Sequence, residues 1–115
     1  MASKRVEGLV VAADPFFNNN RTLVVSLATS MSIPAIYQWR EFVSAGGLIS
    51  YGPSITEAYQ HAGRVAGQIL KGAKPSDIPV VQPATFALTL NRQTASKLGL
   101  TVPPSLLSLA NEVIE

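Results

Sequence analysis

Five residues stand at or just after the ends of three short apolar segments, and their types suit the binding of a small organic molecule. They are Asp14, Phe16, Tyr37, Tyr51 and Gly52. A carboxylate can hold an ammonium group. Aromatic rings can form the apolar wall of a pocket, and a glycine allows a ligand to approach the backbone closely. Together these residues predict a ligand site with one acidic side chain and several rings.

Each of these side chains also has a structural interpretation. Asp14 is well suited to capping a helix that begins after it. Phe16 and its neighbour Phe17 are common core residues, and two adjacent rings cannot both point inward on a regular element. Tyr51 at a strand end fits either role. The sequence alone leaves these alternatives open.

The residues that could support catalysis are few and poorly combined. Ser54 and Glu57 form an S-x-x-E capping box, which explains the serine without a catalytic role. The single histidine, His61, lies on the polar side of the same predicted helix, and the chain has no cysteine. Neither a nucleophile–base pair nor a phosphate-binding glycine loop is present. We therefore predict a protein that is not an enzyme, with no catalytic residues, no metal site and no cofactor.

The apolar pattern predicts alternating strands and helices. The run at 9–13 is typical of a strand buried on both faces of a sheet. We predict further strands at 33–37 and 48–51, and helices at 18–31, 39–45 and 54–71. This alternation favours parallel strands joined by right-handed crossovers. The carboxyl ends of such strands lie at one edge of the sheet, where ligands bind.

The remainder of the chain has a less regular pattern. Segments 80–82 and 86–90 can be extended, and Asn91 can cap a short helix that ends before Gly99. Pro103 and Pro104 predict the start of a last helix, whose apolar residues continue to Ile114.

Composition narrows the possible functions. The chain has 115 residues, enough for one domain; 47% are hydrophobic and 14% are charged. The formal net charge of +2 comes from scattered residues, so we expect no nucleic-acid binding. No apolar run approaches the roughly 20 residues that a membrane helix needs. The N-terminus lacks the apolar region of a signal peptide.

Several segments, taken together, resemble a known family. Residues 10–17, 33–37 and 45–52 (AGGLISYG) are similar to segments of ABC transporter substrate-binding proteins of the tryptophan/tyrosine-transport-like group. Residues 66–80 (AGQILKGAKPSDIPV) and 91–103 are similar to later segments of the same family. The resemblance covers nearly the whole chain, in the family's order and spacing.

The resemblance implies a type I periplasmic-binding fold, with two Rossmann-like lobes that hold a ligand between them. It implies that residues 1–115 form the C-terminal lobe, a three-layer α/β/α lobe with a mostly parallel sheet that is incomplete relative to the two-lobe protein. The long helix 54–71 and the segment 80–115 would lead back toward the N-terminal lobe. The full-length parent would lie in the periplasm, or anchored outside the cytoplasm, and would deliver its ligand to an ABC permease.

The resemblance also assigns roles to individual residues. It places Asp14 where amino-acid binders of the family meet the ligand ammonium group, and Tyr51 and Gly52 beside the ligand. Phe16 and Tyr37 match wall positions. Pro15 departs from the small polar residue of amino-acid binders, so an amino acid and related aromatic, amide or nucleobase-like molecules all stay open. The alternative function is the ligand-sensing effector domain of a regulator, which has the same fold.

An incomplete lobe has physical consequences. A sheet that lacks neighbouring strands exposes an edge, and exposed edges drive pairing between chains. We therefore expect a homo-oligomer formed through the exposed sheet edge. Because half a cleft supplies only part of the ligand contacts, we also expect weak ligand binding.

Overall fold

Short strands alternate with helices along the chain in a computed structural model that describes residues 6–83 and 85–115. The N-terminal residues 1–5, where the absence of a signal peptide was predicted, lie outside this description. The elements, in order, are β1 (Leu9–Val11), α1 (Pro15–Asn19), α2 (Arg21–Ser30), β2 (Ala35–Tyr37), α3 (Arg40–Ser44), β3 (Ile49–Gly52), α4 (Ile55–Leu70), β4 (Ala87–Asn91), α5 (Arg92–Lys97), α6 (Pro104–Leu109) and β5 (Glu112–Ile114).

Two predicted helices are wrong in their extent. The helix expected at 18–31 is two helices, because Asn20 has a non-helical backbone conformation between α1 and α2. The helix expected after Pro103 ends at Leu109, and the residues 112–114 form β5 instead. This last apolar segment becomes part of the sheet because it pairs with β4.

The five strands form one sheet in the order β1-β2-β3-β4-β5. Strand β1 pairs with β2 and β2 with β3 in parallel, β3 pairs with β4 antiparallel, and β4 pairs with β5 in parallel. The sheet is thus mixed but mostly parallel, and with its helices it confirms the predicted α/β class.

The main core cluster lies on one face of the sheet. Both crossovers, from β1 to β2 and from β2 to β3, move across the sheet in the same direction, so right-handed connections place α2 and α3 on the same face. Val25 and Ala28 of α2 and Phe42 of α3 pack there against Val11 and Tyr37 of the strands.

An aromatic pair organises this core. The rings of Tyr37 and Phe42 stack with centroids 4.9 Å apart and an interplanar angle of 13°. A Cβ atom at Gly47 would lie 2.7 Å from Cε2 of Tyr37 and 2.8 Å from the backbone oxygen of Phe42. Glycine at this position therefore lets the turn after α3 close over the tyrosine ring.

The opposite face of the sheet is uncovered at its β1 side. Val10 of β1 is 78% exposed and Tyr51 of β3 is 56% exposed, whereas Leu88 and Leu90 of β4 on the same face are buried. The register places all four side chains on one face. Tyr51 is paired with Leu88, and Val10 belongs to the row of paired residues that ends at Leu90. This half of the sheet is an open apolar surface.

Side-chain hydrogen bonds fasten the C-terminal segment to the sheet. Asn91 caps α5 by accepting a hydrogen bond from the Thr94 amide at 3.0 Å, as predicted, and Thr94 Oγ1 donates to the Gly46 carbonyl at 2.8 Å. Arg40 of α3 forms a two-pronged ion pair with Glu112 of β5. These contacts bring β4 and β5 against α3 and β3.

Much of the apolar side of helix α4 is exposed, with Tyr59 71% and Leu70 88% exposed in the described chain. The helix begins with the predicted capping box, in which Ser54 Oγ accepts from the Glu57 amide at 3.2 Å. The polar side, with His61 and Arg64, borders a groove of about 510 Å³ whose other wall is formed by residues 81–83 and 85. No residue of α4 is buried. In the described parts of the chain, no helix is both long enough and apolar enough to cross a membrane.

Replacing Phe42 by alanine tests the position of the core. We expect Phe42→Ala to lower the free energy of unfolding by about 3–5 kcal/mol, because it removes a buried ring and leaves a cavity under Tyr37. Leu109→Ala, at an exposed position of α6, is the matched control and should change it by less than about 0.5 kcal/mol. Urea unfolding measures both, and similar losses in the two variants would contradict this assignment.

Candidate ligand-binding site

The carboxyl ends of β1, β2 and β3 lie together at one edge of the sheet. Because the three strands run in parallel and in register, their following segments are neighbours: residues 12–14 after β1, Gln38 and Trp39 after β2, and Pro53 and Ser54 after β3. Ligands of open α/β sheets bind at this edge.

A groove of about 310 Å³ opens at this edge and continues onto the uncovered face of the sheet. Its lining residues carry no charge, and most of them are apolar. They are Val10, Val11, Ala12, Ile36, Tyr37, Gln38, Tyr51, Gly52, Pro53 and Phe86. Such a lining suits the apolar part of a small organic ligand, with Gln38 as a polar contact.

Two rings form the exposed wall of this groove. Tyr51 and Phe86 stack with centroids 5.8 Å apart at 12°, and they are 56% and 45% exposed. Phe86 precedes β4, and the antiparallel pairing of Tyr51 with Leu88 places both rings on the same face. The sequence pattern identified Phe86 only as part of a strand, because nothing local indicates that β4 returns beside β3.

Gly52 serves a packing role that its sequence position did not reveal. A Cβ atom there would lie 2.5 Å from the Gln38 backbone oxygen and 2.9 Å from Gln38 Cγ. Any larger residue would push the end of β3 away from the segment after β2. Glycine thus holds two walls of the groove together.

Tyr37 lies on the other side of the sheet from Tyr51. Its ring is only 3% exposed and stacks on Phe42 in the core, and burial raises the pKa of its phenol above the ordinary value. Tyr37 borders the groove from beneath rather than presenting a ring to it. Its assignment as a ligand contact stays a prediction.

Asp14 caps α1. Its Oδ1 accepts a hydrogen bond from the Phe16 amide at 2.8 Å, so the capping interpretation is confirmed. The side chain is exposed and lies two residues beyond Ala12, which lines the groove. Phe16 is also exposed, whereas Phe17 packs on the core. A ligand contact by Asp14 or by Phe16 remains a prediction.

A smaller groove of about 240 Å³ adjoins the first one and is lined by Arg40, Glu41 and the start of α4. The Arg40 side chain is charged, but its guanidinium already donates hydrogen bonds to other residues of the chain. It donates to Glu112 through Nε and Nη2 and to Ser44 Oγ through Nη1. The hydrogen bond with Glu112 raises the pKa of Arg40 and lowers that of the Glu112 carboxyl, so the pair stays ionised at neutral pH.

The comparisons with known proteins decide the family. A family described as ABC transporter substrate binding protein matches residues 1–114. The chain belongs to this family. It is a family of substrate-binding proteins rather than of enzymes. None of the curated protein sequences compared with the chain matches it significantly.

Three solved structures share the fold of the chain. The crystal structure of an ABC domain from Streptococcus pneumoniae in complex with L-Trp is 32% identical to the chain, with a TM-score of 0.85 over 98% of the chain. A conserved domain protein from Vibrio cholerae O1 biovar El Tor is 19% identical over 93% of the chain, with a TM-score of 0.82. A ligand-free, open substrate-binding protein with adhesive properties from Clostridium difficile is 24% identical over 92%, with a TM-score of 0.57.

The chain is shorter than these three structures. It covers 39%, 36% and 36% of their respective lengths. The similarity to the Vibrio cholerae and Clostridium difficile proteins shows the fold alone.

Two substitutions of Asp14 separate its cap from its charge. We expect Asp14→Ala to lower the free energy of unfolding by about 1 kcal/mol, because the Phe16 amide loses its acceptor. Asp14→Asn should leave stability nearly unchanged, because asparagine caps helices about as well as aspartate. Chemical denaturation of both variants measures the difference, and an equal loss in both would show that charge, not the cap, stabilises α1.

Proposed function

We propose that this chain supplies one wall of the interlobe ligand cleft in a solute-binding protein that serves an ABC importer. The ligand is an amino acid or a related small organic molecule with an apolar ring. The chain itself performs no catalysis. The observation that carries the proposal is the uncharged groove at the carboxyl ends of β1–β3, with the exposed Tyr51–Phe86 pair on its wall.

The stacked rings favour a planar ligand group. Tyr51 and Phe86 lie nearly parallel, at 12°, and both are about half exposed, so they offer ring surface that nothing in the described chain covers. An aromatic group placed against this surface gains stacking and apolar burial together.

The polar end of the ligand would lie toward the loop after β1. Asp14 uses Oδ1 for its cap, and within the described residues its Oδ2 has no hydrogen-bond partner. That oxygen can therefore accept a hydrogen bond from a ligand ammonium group while α1 stays capped. Gln38 offers an amide to the same groove.

The comparisons support this assignment at the level of the family. The Streptococcus pneumoniae relative holds L-Trp, which combines an ammonium group with a planar ring. The family match favours transport over the effector domain of a regulator. As part of such a protein, the chain would act outside the cytoplasm and its parent would contact a permease.

We also infer that the chain is the C-terminal lobe of a longer protein. The solved relatives are more than twice as long, and much of the apolar side of α4 is exposed in the described chain. We infer that α4 and the segment 80–115 lead back toward a second lobe, which would supply the opposite wall of the cleft.

A comparison of L-Trp with L-Leu tests the ring-binding wall. In ¹H–¹⁵N NMR titrations, we expect L-Trp to shift the amide signals of Tyr51, Gly52 and Phe86, with a dissociation constant on the order of 1 mM because only one wall is present. L-Leu has the same ammonium and carboxylate groups but no ring, and it should shift them much less. Tyr51→Ala should reduce the L-Trp shifts, whereas Val80→Ala, exposed and outside the groove, should not.

The outcomes of this titration are distinguishable. Equal shifts with L-Leu would remove the ring preference but leave the site in place. The absence of groove shifts with both ligands at about 10 mM would contradict the proposed site. Micromolar binding by the isolated chain would contradict the idea that it supplies only one wall.

The proposed ammonium contact makes a separate prediction. Asp14→Asn keeps the cap but removes the charge, so it should weaken L-Trp binding by roughly threefold to tenfold. The same variant should bind indole-3-propionate, which lacks the ammonium group, at least as well as the unmodified chain does. The titrations above measure both affinities, and an unchanged affinity for L-Trp would rule out the contact.

A further inference from the structure

Two grooves meet at the carboxyl end of β3, and one polar side chain borders both of them. The larger groove, of about 310 Å³, is uncharged and contains the aromatic wall, whereas the smaller one, of about 240 Å³, contains charged side chains. Three residues line both grooves: Gln38, Gly52 and Pro53. Of these, only Gln38 has a long polar side chain, so it is the one that can both separate the two spaces and bind a ligand.

The Gln38 side chain lies where Gly52 has none. A Cβ atom at Gly52 would lie 2.9 Å from Gln38 Cγ, so the stem of the glutamine fills the space that a larger residue would need. Gln38 is partly buried, and it directly follows β2, which pairs in register with β3. The stem is therefore held against the end of β3, at the boundary between the grooves.

The carboxamide of Gln38 is available to a ligand. Within residues 6–83 and 85–115, its Oε1 and Nε2 atoms have no hydrogen-bond partner, and no polar side-chain atom there is both buried and unpartnered. Because the two atoms lack a partner without being buried, a ligand in the adjoining grooves can reach them. Such an amide supplies two donors on Nε2 and an acceptor on Oε1.

A ligand carboxylate is the group that this amide suits best. In the proposed function, the ring of the ligand lies against the aromatic wall and its ammonium group contacts Asp14, which leaves the carboxylate without a donor. Gln38 Nε2 can donate to it. The neighbouring Arg40 is less suitable, because its guanidinium already donates to Glu112 and Ser44.

We propose, on the basis of that function, that Gln38 selects ligands by the length of their carboxyl end. Its carboxamide binds the carboxylate of a single amino acid, and its stem closes the larger groove against the smaller one. A ligand that is extended at this end, such as a dipeptide, meets the glutamine stem and binds more weakly. The preferred class is therefore free aromatic amino acids rather than peptides that begin with an aromatic residue.

Two substitutions separate the hydrogen bond from the barrier. Gln38→Met keeps an unbranched side chain of similar length, whereas Gln38→Ala removes both the amide and the stem. In NMR titrations, both variants should bind L-Trp roughly threefold to tenfold more weakly than the unmodified chain, because the carboxylate loses its donor. Only Gln38→Ala should bind the dipeptide tryptophylglycine more tightly than the unmodified chain does, because the glycine unit can then enter the smaller groove.

The matched control is the same substitution elsewhere in the chain. Gln68→Ala changes an exposed glutamine of α4 that lines neither groove, and it should alter neither affinity. A comparison that needs no variant is the unmodified chain itself, which should bind L-Trp more tightly than tryptophylglycine.

The results distinguish this inference from the function on which it rests. If the unmodified chain does not bind L-Trp at all, both are contradicted. If it binds L-Trp but binds tryptophylglycine equally well, or if Gln38→Ala and Gln38→Met show the same preference between the two ligands, the role of Gln38 is overturned and the binding function stands.

Discussion

The parallel pairing of β1, β2 and β3 is the constraint on which the rest of the structure depends. Parallel neighbours require crossovers, and right-handed crossovers in one direction must all pass over the same face. That face receives α2, α3 and the main core cluster. The opposite face of β1–β3 is left without a crossover helix, and the three carboxyl ends meet at one edge. The open apolar surface and the candidate site are therefore two results of one topology.

Features that depend on local hydrogen bonds could be predicted from the sequence. Ser54 and Asn91 each cap a helix through an amide three residues ahead, and Asp14 does so through an amide two residues ahead. The residue types alone identify such caps, because the bond closes within a single turn. The positions of β1 to β4 also followed from short apolar runs, but residues 80–82, which the pattern allowed to be extended, form no strand.

Features that depend on distant pairing could not be predicted. The segment 112–114 continues a helical apolar pattern, but β4 offers unpaired backbone groups and Asn111 accepts a hydrogen bond from the Leu88 amide at 2.9 Å. These contacts outweigh a weak helical preference in a short segment. Phe86 was missed for the same reason, since only the antiparallel return of β4 brings it beside Tyr51.

The register of β2 and β3 gives the two tyrosines at their ends different environments. Tyr37 pairs in register with Ser50, so the next residue, Tyr51, must point to the opposite face. Tyr37 therefore joins the core with Phe42, while Tyr51 joins the groove with Phe86. The sequence shows alternation within each strand but not the relative phase of neighbouring strands, so it could not distinguish the two rings. Because of this register, the Tyr37 ring on the covered face stabilises the core, whereas the Tyr51 ring on the open face can contact a ligand.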